Sequence, residues 1–263
     1  MSTQRSRPIA DALTSARRIL LHYRHSPGLV AASLAVPVLM VVVFGYVFGS
    51  AMTVPGGNYR AFLMPGLFAM VAVNGLMPTM IGTARDLRRG AADRIRSMPV
   101  SRLGVLLGTA VADLLVSVVV LVLLAAVGLA TGWQAHRGLG LALAGFGLLL
   151  LFRFVMTWLG TCLGLLVANE EMAGQLAALT FPVAMVTNTF VPTGGMPGWL
   201  RAVAEWNPVS SLVAACRHLF GNAGTGGGSW PLQHPVAGTL GWSVAILVLC
   251  APLAVRSYVR HGR

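Results

Sequence analysis

The chain contains no lysine; all of its basic residues are arginine. That absence rules out a GxxxxGK[ST] phosphate loop, so ATP hydrolysis of the P-loop kind has to come from another chain. Charge of either sign is scarce. Only 10% of the residues are charged and 56% are hydrophobic, whereas soluble domains carry about 25% charged residues, so a soluble domain is excluded. There are three cysteines, Cys162, Cys216 and Cys250, none in a CxxC pair, so neither a disulfide framework nor a metal centre is implied. Catalytic groups are equally thin. Asp113 is the one carboxylate inside an apolar run, and the histidines (22, 25, 136, 218, 234 and 261) all lie in the flanks. An intramembrane hydrolase or prenyl transferase needs a converging set of such groups. A proton-driven carrier needs more titratable groups in its spans and, usually, internal repeats, and none is evident. The first two dozen residues lack the apolar core of a signal peptide.

What the chain has instead is long apolar runs. A spanning helix takes about 20 mostly apolar residues, and six runs qualify: 28–50, 61–83, 103–131, 140–168, 173–192 and 236–255. Residues 26–59 and 61–84 hold no charged side chain at all. The expected fold is therefore all-α and integral to the membrane, with six transmembrane helices. The arginines set the orientation. With the N-terminus inside, fourteen fall in inner segments, and only Arg60, Arg137, Arg201 and Arg217 fall in outer ones. Both termini are expected in the cytoplasm and the protein in the plasma membrane. Arginines that sit between apolar runs, rather than along one polar face, point to topology and not to nucleic acid.

Three segments outside the runs are patterned. Residues 8–24 place Ile9, Leu13, Ala16, Leu20 and Tyr23 at helical spacing, an amphipathic helix suited to lipid headgroups or to a specific partner. The stretch 85–102, RDLRRGAADRIRSMPVSR, aligns Leu87, Ala91, Ile95 and Met98 in an apolar stripe among Arg88, Arg89, Asp93, Arg94 and Arg96, with Pro99 as a stop. On pattern alone it is either a positive-inside anchor or a docking helix. Between 193 and 235 two short helices are expected, broken at Asn207-Pro208 and ended at Gly221. They carry apolar faces Trp199/Val203/Trp206 and Leu212/Ala215/Leu219 and would lie at, or dip into, the outer membrane surface. GNAGTGGGS at 221–229 reads as a flexible connector. Inside the spans, Asp113 and Arg153 sit at overlapping depths. A charge at the bilayer centre costs at least ~2.5–3.5 kcal/mol, so the two are expected to pair, as a helix-orienting contact or as an ion-handling one.

The order of these parts resembles the ABC-2-type exporter permeases, and most closely the daunorubicin-resistance-type drug and lipid efflux permeases of actinobacteria. The resemblance rests on the basic loop ending in SMPVSR and on Pro192, Met196-Pro197-Gly198-Trp199-Leu200, Asn207-Pro208 and Arg217. It implies a cytoplasmic N-terminal helix over 1–27 and one transmembrane domain over 28–263, with 84–102 as the coupling loop. Gly90, Asp93, Arg94, Ile95, Pro99 and Arg102 match the family's coupling helix, and Arg88 stands where the family often has an acid. The implied ATPase-coupling residues are Leu87, Arg88, Arg89, Asp93, Arg94, Ile95, Met98 and Pro99, with Glu170 and Glu171 in the next inner turn. The implied partners are a separate ABC ATPase subunit, which holds the ATP and magnesium, a second or sister permease, and membrane lipid. This chain is expected to bind no cofactor or metal and to catalyse nothing itself.

The resemblance also places the second and fifth spans along the translocation path. There Met70, Asn74 and Met77, and Phe181, Met185 and Asn188, recur at helical spacing. Methionine and phenylalanine adapt to varied apolar ligands, although amide-bonded helix packing explains the same residues. The implied activity is outward movement of a hydrophobic or amphipathic solute. Export of a lipid-linked glycan by the same architecture is the alternative.

Overall fold

The computed structural model describes residues 27–49, 54, 58–88, 102–167, 169–222, 224 and 228–260. Among these there is no strand; every regular element is a helix. Helix α1 (Pro27–Val42) continues as a π-helical turn over Val43–Phe48. It is followed by α2 (Tyr59–Val73), α3 (Leu76–Arg88), α4 (Arg102–Ala130), α5 (Leu139–Val167) and α6 (Glu170–Met185). A short 3₁₀ turn at Thr193–Gly195 leads to α7 (Gly198–Trp206), α8 (Pro208–Phe220), α9 (Trp230–Gln233) and α10 (Pro235–Arg260).

Among the described residues, four stretches are long and apolar enough to cross a bilayer: Tyr59–Arg88, Asp113–Ala130, Leu139–Val167 and Pro235–Ala254. The fifth expected run, 173–192, does not stay helical. Helix α6 starts earlier and stops at Met185, which at 1.5 Å per residue makes it about 24 Å long. Its last turn contains Pro182, which has no N–H to give the ladder. Beyond it Thr187 turns its hydroxyl back on the Ala184 carbonyl at 2.8 Å and accepts the Thr189 amide at 3.2 Å. Such local bonds compete with helix propagation. The second run is helical in two pieces, α2 and α3, separated at Asn74-Gly75.

Helix α5 is the hub, packing on α3, α10, α8, α2 and α4. At the end expected inside from the arginines, which carries Arg85 and Glu170, α5 meets α3 along Gly160 and Gly164. A Cβ on either would stand 2.6 Å from the Leu76 carbonyl oxygen or 2.5 Å from that of Met80. Small residues one turn apart let two backbones touch, as membrane helices do when water supplies no hydrophobic drive between them. Ala173 and Ala177 of α6 then close on Met80 and Ala84 of α3. The outer half of the core is aromatic: Phe68 lies 5.1 Å from Trp133, 5.4 Å from Phe146 and 6.0 Å from Phe220, centroid to centroid.

The expected break at Asn207-Pro208 is where α7 ends and α8 begins; the Asn207 side chain caps the Val209 amide at 2.9 Å. Gly221 closes α8 in a left-handed conformation, φ 74°. The two helices differ in depth. Helix α7 turns Trp199, Val203 and Trp206 outward. Helix α8 is not a surface helix: Leu212, Val213, Ala215, Cys216, Arg217 and Phe220 are wholly buried against α2, α5 and α10. Its polar residues are buried with it, except His218 on the exposed side.

Candidate functional site

At mid-bundle, Asp113 of α4 and Arg153 of α5 meet. The guanidinium donates from Nε to Oδ2 at 2.7 Å and from Nη2 to Oδ1 at 2.6 Å, a two-point contact that only a planar fork can make. Its third nitrogen, Nη1, donates to the Val71 carbonyl of α2 at 2.7 Å. Thr157 sits 3.5 Å from the same carboxylate. Arg153 is buried and the Asp113 side chain is a quarter exposed. Every charged atom of the pair is matched, which is what a low-dielectric interior requires.

At the other end of the bundle lies Arg217, expected, from the arginine count, in an outer segment. It is wholly buried. No local signal marked it: His218 follows directly, and Ser210 and Ser211 lie in the same helix. Nε and Nη2 donate to the Phe62 carbonyl at 3.1 and 3.0 Å, and Nη2 also to the Thr189 carbonyl at 3.1 Å. The guanidinium carbon rests 3.7 Å from the Phe62 ring centroid. Carbonyl dipoles and a π face, rather than a carboxylate, hold this cation. Nη1 has no protein partner. The contact ties α8 to α2 and to the segment after α6. Next to it, Asn188 gives its side-chain amide to the Ser210 carbonyl at 3.2 Å, and its backbone amide to the Ser210 hydroxyl at 3.1 Å.

The proposed path residues fall in different settings. Met70, Met77 and Met185 are half-buried, and Asn74 is exposed at the break between α2 and α3. Met77 packs against the cluster of Met80, Ala84, Ala173 and Ala177, where the second and fifth runs adjoin. Asn188 departs from the expected helical spacing. It lies past the end of α6, wholly buried against α8, and so is closed off in this conformation. Phe181 belongs to α6, but its side chain lies outside the described residues.

At the inner end, α3 finishes with Leu87 half-buried and Arg88 exposed. Arg85 donates from Nε and Nη2 to Glu170 Oε1 at 2.8 and 2.5 Å, which joins the end of α3 to the start of α6. With both side chains over a third exposed, such a pair adds little stability but fixes register. Glu171 is exposed, and Asn169 caps its amide at 3.0 Å; both acids sit at the positive end of the α6 dipole. Arg89, Asp93, Arg94, Ile95, Met98 and Pro99 lie outside the described residues, as does the amphipathic stretch 8–24. Among the described residues no three His, Cys, Asp or Glu side chains come together as metal ligands.

Relatives share this plan along the chain. The daunorubicin resistance ABC transporter permease protein DrrB1 of Streptomyces coeruleorubidus is 28% identical over 258 residues, covering 97% of this chain and 88% of the relative. The probable doxorubicin resistance ABC transporter permease protein DrrC of Mycobacterium tuberculosis is 24% identical over 249 residues, 94% of this chain and 88% of that one. The probable multidrug ABC transporter permease YbhR of Escherichia coli K12 is 25% identical over 175 residues, 63% of this chain and 45% of its own. The pattern of the ABC-2 type transporters matches residues 12–220, from before α1 to the end of buried α8. A multi-pass, all-helical membrane chain that carries this pattern through both of its buried arginines belongs to the ABC-2 type transporter family.

Proposed function

We propose that this chain is the membrane-spanning subunit of an ATP-driven exporter that moves a hydrophobic or amphipathic solute, such as a drug, an antibiotic or a lipid, out of the cytoplasm or the inner leaflet. The observation that carries the reading is the family pattern over 12–220, read with the absence of any lysine for a P-loop. The drug-resistance names of the relatives support the solute class. Half-buried methionines at 70, 77 and 185 suit ligands of varied shape.

Residues 28–263 form one transmembrane domain of six spans in the plasma membrane, with 1–27 and the C-terminus in the cytoplasm. A second or sister permease completes the path, and closed two-fold pairing is the common solution for a homo-oligomer. The partner ATPase binds ATP and magnesium and seats the loop 84–102, with Glu170 and Glu171 beside it. Closure of the ATPases then moves the loop and, through α3 and the Arg85–Glu170 contact, the inner ends of the second and fifth runs. The test is capture of a separate ATPase subunit by the purified permease, wild type against Arg94→Glu/Met98→Asp. Retention by wild type with loss of most of the ATPase in the variant is the expected result. A well-folded wild type that holds no ATPase overturns the reading.

A further inference from the structure

The second span is interrupted in its middle, four residues before Pro78, which has no N–H to give the Asn74 carbonyl and whose ring crowds it. The outer helix ends with the Asn74 amide on the Met70 carbonyl at 2.9 Å, and the inner helix starts afresh at Leu76. In an unbroken helix the Val71 carbonyl would accept the amide four residues on. Here it accepts Arg153 Nη1 at 2.7 Å. A side chain inserted into the ladder is one of the few recognised causes of a kink. Gly75 makes the insertion possible, since a Cβ there would stand 2.6 Å from Arg153 Nε and 2.7 Å from Cδ. The Gly75 carbonyl is occupied too, by the Thr79 hydroxyl at 2.8 Å. Asp113 holds the guanidinium by its other two nitrogens, so the arginine stays in the gap.

The two halves also keep different company. Helix α2 is buried along nearly its whole length, with Arg217 of α8 on its Phe62 carbonyl. Helix α3 is buried only at Leu76, Met80 and Ala84, and those side chains face α5 and α6. In a bilayer, a backbone group that loses its helical partner finds no water. At this break the Val71 carbonyl already has a side-chain partner and the Asn74 carbonyl has no amide to lose at Pro78, so bending there breaks neither of those bonds.

We infer that Asn74-Gly75 is a hinge in the second span and that Arg153 is its positioning residue: it holds the break open so that α3 and the loop beyond it can swing while α2 stays fixed in the outer core. The transmission role rests on the ATP-driven reading above; the bend itself does not. It can be measured on the full-length permease alone in lipid nanodiscs, by electron–electron distances between spin labels. The native thiols at 162, 216 and 250 are buried. One label pair, Arg88→Cys with Gln134→Cys, spans the break; a second, Arg88→Cys with Glu171→Cys, lies within the inner unit.

The expected wild-type result is a distribution across the break about twofold broader than within the inner unit, as for a hinge between two rigid parts. The variant G75A/P78A/D113N/R153M lets the helix run through, and the first distribution narrows to match the second. If that variant does not fold, Gly75→Ala with Pro78→Ala, which crowds Arg153 out of the gap and restores the missing N–H, has to narrow it. Equal widths for the two wild-type pairs overturn the hinge and leave ATPase capture untouched. A broad distribution in a permease that captures no ATPase keeps the hinge and removes only its proposed driver.

Discussion

The middle of the bundle and its outer end each bury an arginine, and they neutralise it by different means. Arg153 has a carboxylate, Asp113, with two matched hydrogen bonds. Arg217 has two backbone carbonyls and the face of Phe62, and one nitrogen without a protein partner. The first arrangement can lose its balance through either of two residues; the second has no partner side chain whose removal would strand a full opposite charge. A paired ion therefore adds orientation at the cost of a second vulnerable position. An arginine held by carbonyls acts as a bolt between backbones.

The sharpest way to break that comparison is to remove one partner of the pair. Asp113→Leu leaves Arg153 charged and unmatched, and about 3–5 kcal/mol of stability should go. Arg153→Met added to it should restore most of the loss, because no buried charge remains. Thermal melting in detergent, with expression level as a second readout, checks both; a double variant as poor as the single would contradict the pairing energetics.

A smaller loss is expected at the other site. Arg217→Leu strands the Thr189 carbonyl and removes a second bond to Phe62 but leaves no charge, so about 1–3 kcal/mol should go. Arg217→Lys should recover only part of it, since a point-like ammonium cannot copy the fork. Limited proteolysis between α8 and α9 would report whether α8 has come loose. Equal stability of Lys and Arg at 217 would mean that charge alone, not the fork, holds the helix.

The smallest effect belongs to the surface pair. Glu170→Gln should leave the melting midpoint within experimental scatter, and any difference should vanish in high salt. A clear destabilisation would show that the inner ends of α3 and α6 depend on that contact for more than register.

Set against these sites, the sequence was a good guide wherever the cause is local. Apolar length located four of the six expected spans among the described residues. Asn207-Pro208 and Gly221 marked the ends of α7 and α8 because capping chemistry is read within a few residues. Asp113 and Arg153 invited pairing because each is a lone charge in an apolar run. Hydropathy misled at Asn188 and Arg217. The run through 192 is apolar enough to look helical, but Pro182 and the Thr187 hydroxyl end the helix first. Arg217 sits between two spans in a stretch whose depth no local pattern records.

The sequence by itself determined that this is a helical membrane chain with no P-loop of its own and with a basic segment between its second and third apolar runs. Those properties follow from composition and from charge placed along one dimension. Only the tertiary structure decided that the second span breaks at Asn74-Gly75 and that α8 is core. The Val71 carbonyl is freed for an arginine 82 positions away, and α8 is carried inward by a bond to Phe62, 155 positions away. Backbone groups in a bilayer need a partner wherever one can be found, and which distant side chain supplies it is settled by packing.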